Sequence, residues 1–266
     1  MELNKPAIAS EQTHWYSKTG EAKYTIIGAN GKERNTTLRD ARKFGYLPSV
    51  SAILRVAANP GLDKWKRDTL LMAAATLPKV EGESVEQWME RVEKDSNEQS
   101  SKARDLGTEI HGSLERFYMG GYASDHHRVY IDAVNAEISN HFHVKFDDWS
   151  AEKSFASPLG YGGKVDLHSY NLVIDFKTSE FDDAAKKEGY PEYIMQLVAY
   201  ARGLGFKEGQ YRCANVLVST STPGLVKIIE YTQEEMQTAW EKFLCLLRYW
   251  QLDKAYHPMD VVHKDS

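Results

Sequence analysis

The sequence predicts an α/β protein: a mixed central β-sheet flanked by helices, with an N-terminal hairpin and a helical extension ahead of it. Three observations predict this. Segments that alternate apolar and polar residues are grouped in the middle and later parts of the chain, and a period of two marks strands. Segments with apolar residues three and four apart precede and follow them, which marks amphipathic helices. The 266 residues, 42% of them hydrophobic, suffice for one large domain or a core with a lobe. Strands grouped between helices make a layered α/β sandwich.

Residues 15–27 alternate as a strand does, and Gly28-Ala29-Asn30-Gly31-Lys32 supplies a turn, so the region reads as a hairpin. Residues 49–57 and 62–76 read as helices, and 78–84 as a linker with Pro and Gly. Residues 85–118 are helical, with a break expected near Asp95-Ser96-Asn97; the acidic stretch 79–100 reads as a solvated face. A helix over 130–142 follows, then strands near 146–155, 161–169 and 171–177. A helix begins at Pro191, a residue suited to a first turn. Residues 212–220 and 225–231 read as two more strands. A closing helix over 233–252 buries Met236, Trp240, Phe243, Leu247 and Trp250. The expected division is an extension lobe over 1–100, a core over 101–253 and a loose polar tail over 254–266.

Composition bounds the function. The net charge is −5, yet residues 1–78 hold 12 Lys/Arg against 7 Asp/Glu, so the basic surplus lies in the N-terminal third. Arg39, Arg42, Lys43, Lys64, Lys66 and Arg67, with Trp15, Tyr16, Tyr46 and Trp65 nearby, read either as a surface that guides a nucleic-acid strand or as a solvated face over core aromatics. The longest apolar runs are too short to span a bilayer. Met1 to Pro6 show neither an apolar signal core nor an Arg-rich presequence. Two cysteines give no disulfide framework; Cys213 in an apolar strand and Cys245 in an apolar helix are expected as core thiols, in keeping with a reducing cytoplasm.

The chemistry concentrates in two neighbouring strands. In Val173-Ile174-Asp175-Phe176-Lys177, alternation puts Asp175 and Lys177 on one side and Ile174 and Phe176 on the other. Upstream, Gly162-Gly163-Lys164-Val165-Asp166 places a carboxylate in a strand whose Val165 and Leu167 take the opposite face. A turn over 168–171 would fold the pair into a hairpin and bring Asp166 beside Asp175. Two carboxylates that close repel unless a cation lies between them, and Mg²⁺ or Mn²⁺ prefers oxygen ligands. An exposed ion pair is the competing reading of Asp175 and Lys177 alone.

Two helical segments add to this. Leu106, Ile110, Leu114 and Phe117 form one apolar stripe, leaving Arg104, Thr108, His111 and Glu115 opposite. Neutral His111 would add a nitrogen to a cation's shell, and Glu115, one turn on, would orient it or a water; a solvated surface histidine or a satisfied core one is the competing reading. Further on, Ile194, Leu197, Val198 and Ala201 make a buried stripe, with Gln196 and Tyr200 together on the other face. An amide and a phenol there can hydrogen-bond a phosphate or stack on a base, or simply form the polar side of an amphipathic helix.

Taken in order, Gly107-Thr108-x-x-His111, Gly163-x-Val165-Asp166, Asp175-x-Lys177 and Gln196-x-x-x-Tyr200 resemble the PD-(D/E)xK nuclease superfamily, and within it the RecB-type branch of phage exonucleases and the mitochondrial genome-maintenance exonuclease. The resemblance spans about residues 104–204; the stretches 47–54 and 60–65 are similar to the N-terminal part of phage relatives. It implies a restriction-endonuclease-like core and a divalent-metal-dependent DNA exonuclease of recombination, repair or DNA degradation. A restriction or flap-type endonuclease and an inactive nucleic-acid-binding module are the alternatives. It implies that His111, Asp166, Asp175 and the Phe176 carbonyl hold Mg²⁺ or Mn²⁺, and that Lys177 meets the attacking water or the phosphate. Gln196 and Tyr200 would lie near the DNA backbone, with Glu115, Glu152 and Thr178 in support. The branch's four-cysteine iron–sulfur cluster is ruled out, since only Cys213 and Cys245 are present. The implied partners are DNA, as single strands or duplex ends, and recombination or single-strand-binding proteins of phage or host, in a cytoplasm and not at a membrane.

Overall fold

The computed structural model describes residues 14–57, 60–122 and 124–260. In chain order the strands and helices are β1 (Trp15–Tyr16), β2 (Thr25–Ile27), β3 (Glu33–Asn35), α1 (Leu38–Phe44), β4 (Leu47–Pro48), α2 (Val50–Leu54), α3 (Pro60–Thr76), α4 (Val85–Tyr118) and α5 (Arg128–Phe142). Then come β5 (Ser150–Ser157), β6 (Tyr161–His168), β7 (Leu172–Ser179), α6 (Pro191–Gly203), β8 (Arg212–Ser219), β9 (Val226–Glu230) and α7 (Gln233–Asp253).

The five later strands form one mixed sheet in the order β5-β6-β7-β8-β9. Only β7 and β8 run parallel, and α6 makes the crossover that a parallel pair requires. Each face of the sheet buries its own core. On one, Val165 and Val173 pack with Leu197 and Val198 of α6, Phe243 and Trp250 of α7, and Trp15, Val50 and Ile53 from the N-terminal segment. On the other, Leu172, Ile174, Phe176 and Val216 pack with Ile110 and Leu114 of α4 and Ile131, Val134 and Ile138 of α5. Each fully buried side chain of this size contributes roughly 1.5–3 kcal/mol. The expected mixed sheet between helices is therefore observed.

Strand period explains the division: Val173 turns to one core while Ile174 and Phe176 turn to the other. β6 departs from this. Val165 and Leu167, expected on one face, enter different cores. The switch coincides with Glu152, which lies between the β5–β6 pairs Ala151↔Leu167 and Lys153↔Val165 and has a left-handed backbone (φ 56°). A non-glycine residue there interrupts the ladder.

Several boundaries differ from expectation. Residues 15–27 are not one strand: a turn closed by Gly20 N donating to Ser17 O, with Gly20 at φ 89°, splits β1 from β2. β1 pairs with β4, and the hairpin is β2–β3 across the expected turn. Helix α1 is an addition, held by a capping box between Thr37 and Asp40 and ended by left-handed Gly45. α4 runs 34 residues without a break at Asp95-Ser96-Asn97. Packing of α3 along it overrides local propensity, with the Trp88 indole N–H donating to Leu77 O. β5 starts at Ser150, not 146, because Phe146–Asp148 forms a 3₁₀ turn over two acidic residues poor in strand propensity.

The expected division at residue 100 falls inside α4. Residues 254–260 are packed rather than loose: the Tyr256 hydroxyl donates to Ala41 O and Tyr46 O. The expectations for Met1 to Pro6 and for 261–266 lie outside the described residues. Cys213 is buried as expected, but Cys245 is exposed. The buried residues of α7, Met236, Ala239, Phe243, Leu247 and Trp250, recur at helical spacing, and Cys245 falls off that stripe. Trp240 is only partly buried at the stripe's edge. Among the described residues no helix is long and apolar enough to cross a membrane.

Candidate functional site

The site begins where the β6–β7 hairpin comes apart. The ladder holds only Leu167↔Ile174 and His168↔Val173 before the strands diverge, with Asp166 and Asp175 next in register. Past its end, the Phe176 N–H donates to Asp166 Oδ2 at 2.8 Å instead of to a strand partner. That same oxygen lies 2.8 Å from His111 Nε2 of α4. Gly107 lets α4 come this near: a Cβ there would overlap Thr178 Oγ1 on β7. The Gly-Thr-x-x-His segment thus places its imidazole one turn beyond this close contact with β7.

Asp175 is only 1% exposed. It turns to the α6 side, where Lys177 Nζ lies 3.0 Å from Oδ1 and 2.8 Å from Oδ2. Asn215 Nδ2 of β8 donates to Oδ2 at 2.8 Å, and the Tyr231 hydroxyl donates to Asn215 Oδ1 at 2.9 Å. Lys177 Nζ also donates to Gln196 Oε1 (2.9 Å), whose Nε2 donates to the Tyr200 hydroxyl (2.7 Å). Two hydrogen-bonded series, His111–Asp166–Phe176 N and Tyr231–Asn215–Asp175–Lys177–Gln196–Tyr200, therefore share one wall.

The electrostatics follow from burial. Burial pushes the Asp175 carboxyl upward, and Asp166 adds to that push, against the pull of Lys177. Burial also raises Asp166, but the charge and hydrogen bond of His111, with Lys177 and the Phe176 N–H, outweigh it and hold Asp166 below the ordinary carboxylate value. Reciprocally, the Asp166 charge raises His111.

These side chains border a cleft of about 440 Å³. Its lining joins His111, Asp166, Asp175, Phe176, Lys177, Thr178, Gln196 and Tyr200. Glu115, one turn beyond His111 on α4, lies outside the lining. Glu152 also lies outside it, but its side chain, 7% exposed, ion-pairs with Lys164, which does line the cleft. Tyr200 was expected on a polar face, yet its ring is 5% exposed and packs in the core, T-shaped against Phe155. The reason is that α6 is buried on most sides, between the sheet, α2 and α7. Gly163 accommodates that ring: a Cβ there would lie 2.9 Å from Tyr200 Cε1 and 2.7 Å from Phe155 Cζ.

Of the basic and aromatic residues grouped from sequence, Tyr16 alone reaches this cleft. Arg42 instead donates to Lys254 O, and Trp15 packs edge-on to Trp250 in the core. Sequence reasoning missed His14 and Tyr24, whose rings stack at 4.0 Å on the cleft, and Lys164, Arg104 and Asn215. Three of these had a signal. Arg104 shares a helix face with His111, Lys164 shares a strand face with Asp166, and Asn215 is a lone amide in the apolar run Cys213 to Val218.

In kind, two carboxylates and an imidazole suit Mg²⁺ or Mn²⁺, and the crowding of two buried carboxyls is the condition a cation relieves. Among the described residues, however, no group of three or more His, Cys, Asp or Glu side chains is arranged to hold a metal ion. Asp166 is bonded to His111, and Asp175 to Lys177 and Asn215, so the donors face one another.

No family model matches the chain, and neither does any curated protein. Solved structures do match. The alkaline exonuclease LHK-Exo from Laribacter hongkongensis is 13% identical, with 78% of this chain and 92% of that one covered and a TM-score of 0.35. A protein of Eubacterium rectale named provisionally as an exonuclease is 14% identical, with 56% and 68% covered and a TM-score of 0.38. The protein SSO0001 is 16% identical, with 70% and 86% covered and a TM-score of 0.29.

Proposed function

We propose that this chain is a divalent-metal-dependent DNA nuclease of the PD-(D/E)xK superfamily and its RecB-type branch, acting on DNA ends as an exonuclease. The observation that carries this reading is the gathering of His111, Asp166, Asp175, Lys177 and Gln196 along one cleft wall, with both carboxylates anchored by hydrogen bonds. Four sequence motifs from four elements contribute to that wall, which an isolated surface ion pair would not require.

His111, Asp166 and Asp175 would hold Mg²⁺ or Mn²⁺, with the Phe176 carbonyl as a further ligand. When bound, such an ion supplies charge stabilisation to the phosphate and lowers the pKa of water. The chain's own groups do the rest. Lys177 presents a compact positive charge where negative charge develops on the phosphate. Gln196 and Asp175 hold its ammonium in place from two sides. Asn215, fixed by Tyr231, sets the orientation of Asp175. Tyr200 acts on Gln196 from within the core and positions it. His111 Nε2 and Asp166 Oδ2 are hydrogen-bonded to each other, and any group that takes either atom must compete with that bond.

A second reading, a nucleic-acid-binding module without cleavage, is favoured by the lack of a ready three-donor cluster among the described residues. Digestion of end-labelled linear and covalently closed circular DNA separates the two, run with Mg²⁺, with Mn²⁺ and with chelator. Loss of label from linear DNA alone, abolished by chelator, supports the exonuclease. Cutting of the circle would make the chain an endonuclease, and intact DNA under every condition would leave the binding module.

A further inference from the structure

The catalytic cleft has a neighbour. A chamber of about 470 Å³ shares Arg104 and Thr178 with it and is walled by Trp65 of α3 and by Tyr190 and Tyr193 at the start of α6. Tyr193 stands at the partition, since Lys177 Nζ lies 5.3 Å above its ring. Trp65 and Tyr190 are 41% and 39% exposed, high for aromatic rings in a concavity. A third, larger hollow between α3 and α4 continues outward and again includes Arg104 and Trp65. Arg104 therefore borders all three spaces and stands at the throat between the first two.

The charges of the second chamber decide what it suits. Arg104 and Lys187 are offset by Glu180 and Glu192, so the lining has no net charge. A phosphate would meet two carboxylates there. A flat, uncharged, amine-bearing ring would meet aromatic faces and carboxylate acceptors. We infer that this chamber is the binding site for one unstacked base of a single-stranded DNA segment, next to the bond to be cut, with Arg104 holding the intervening phosphate. The inference rests on the nuclease reading and deepens it: the substrate at the site is single-stranded, because a base inside a duplex is stacked on its neighbours and unavailable to Trp65 and Tyr190.

The test measures binding, not turnover. The full chain is titrated in chelator against a fluorescein-labelled oligodeoxycytidylate of about ten nucleotides, whose bases carry the exocyclic amine, within the site sizes of single-strand binders, and against a blunt duplex of equal length. Trp65→Ala and Tyr190→Ala are each expected to weaken single-strand binding by roughly 5- to 100-fold, the usual worth of a base–aromatic stack. Duplex binding should stay within about twofold, and Trp65→Phe should restore most of the loss, since it keeps a ring. Arg104→Gln should weaken single-strand binding and lower its salt slope by about one. Both alanine variants replace exposed side chains, and unchanged thermal midpoints would show that the fold is intact. Single-strand affinities within twofold of the parent for both, or equal losses on the duplex, would overturn the chamber as a base site. A chain that binds single strands through Trp65 and Tyr190 yet cuts no DNA with Mg²⁺ or Mn²⁺ would uphold the chamber and overturn the nuclease reading.

Discussion

Asn215→Ala offers the sharpest check on how the site is held. Asn215 is 0% exposed and makes two short hydrogen bonds, Nδ2 to Asp175 Oδ2 at 2.8 Å and Oδ1 from the Tyr231 hydroxyl at 2.9 Å, beside a longer one from Nδ2 to Asp175 O at 3.4 Å. The first is to a carboxylate, worth roughly 1.5–3 kcal/mol, and the second is neutral, worth about 1 kcal/mol. Alanine removes both and leaves Asp175 Oδ2 and the Tyr231 hydroxyl short of a partner. The expected loss is therefore about 3 kcal/mol, or a thermal midpoint lower by about 6–12 °C in a chain of this size. Lys64→Ala is the matched control. Its pair with Asp68 is 70% and 50% exposed, so its removal should cost no more than about 0.5 kcal/mol.

The assay is urea unfolding of Asn215→Ala, Tyr231→Phe and the double variant. Because both residues serve one chain of bonds, the two single costs should exceed the double cost, with a coupling of about 0.5–3 kcal/mol. A cost below about 1 kcal/mol for Asn215→Ala, or strict additivity with Tyr231→Phe, would refute the anchoring of Asp175.

Other outcomes follow from the same geometry. Asp175→Asn and Lys177→Met should each abolish cleavage of linear DNA. Asp175→Ala should also lower the urea midpoint, because the residue is buried and its removal strands Lys177 and Asn215. His111→Ala should raise the Mn²⁺ concentration needed for half-maximal cleavage, read by titrating the metal. Gly163→Ala should cost about 1–3 kcal/mol in urea unfolding at unchanged m-value, from overpacking against Phe155 and Tyr200. Asp40 responds to acid: the Arg34 hydrogen bond, helped by Thr37, outweighs burial and holds its carboxyl well below the usual range. Its stabilising contribution is complete above the unfolded-state value of about 4 and is lost as pH falls toward the folded one. Asp40→Asn should therefore flatten the fall in urea midpoint below about pH 4.

Much of this was legible in the sequence because strand and helix periods carry it. Alternation around Asp175 and Lys177 put them on one face, and the 168–171 turn brought Asp166 into register with Asp175. What escaped depended on contacts distant in sequence. Asn215 comes to Asp175 through a parallel pairing that no local pattern encodes. The burial of the Tyr200 ring follows from α6 packing against α2 and α7, not from its own polar spacing. The face switch at β6 coincides with left-handed Glu152 on the neighbouring strand, and nothing within β6 itself signals it. Helix α1 did have a local signal, Thr37-x-x-Asp40 ending at Gly45, but its seven residues are too few to show periodicity.

The length of α4 has a mechanical consequence. At 1.5 Å per residue, its 34 residues make a rod of about 51 Å. His111 sits about 39 Å from the first residue of that rod and about 11 Å from its last. One unbroken helix therefore carries both the imidazole at the sheet edge and the distant surface against which α3 packs, and a helix-breaking residue between them would uncouple the two.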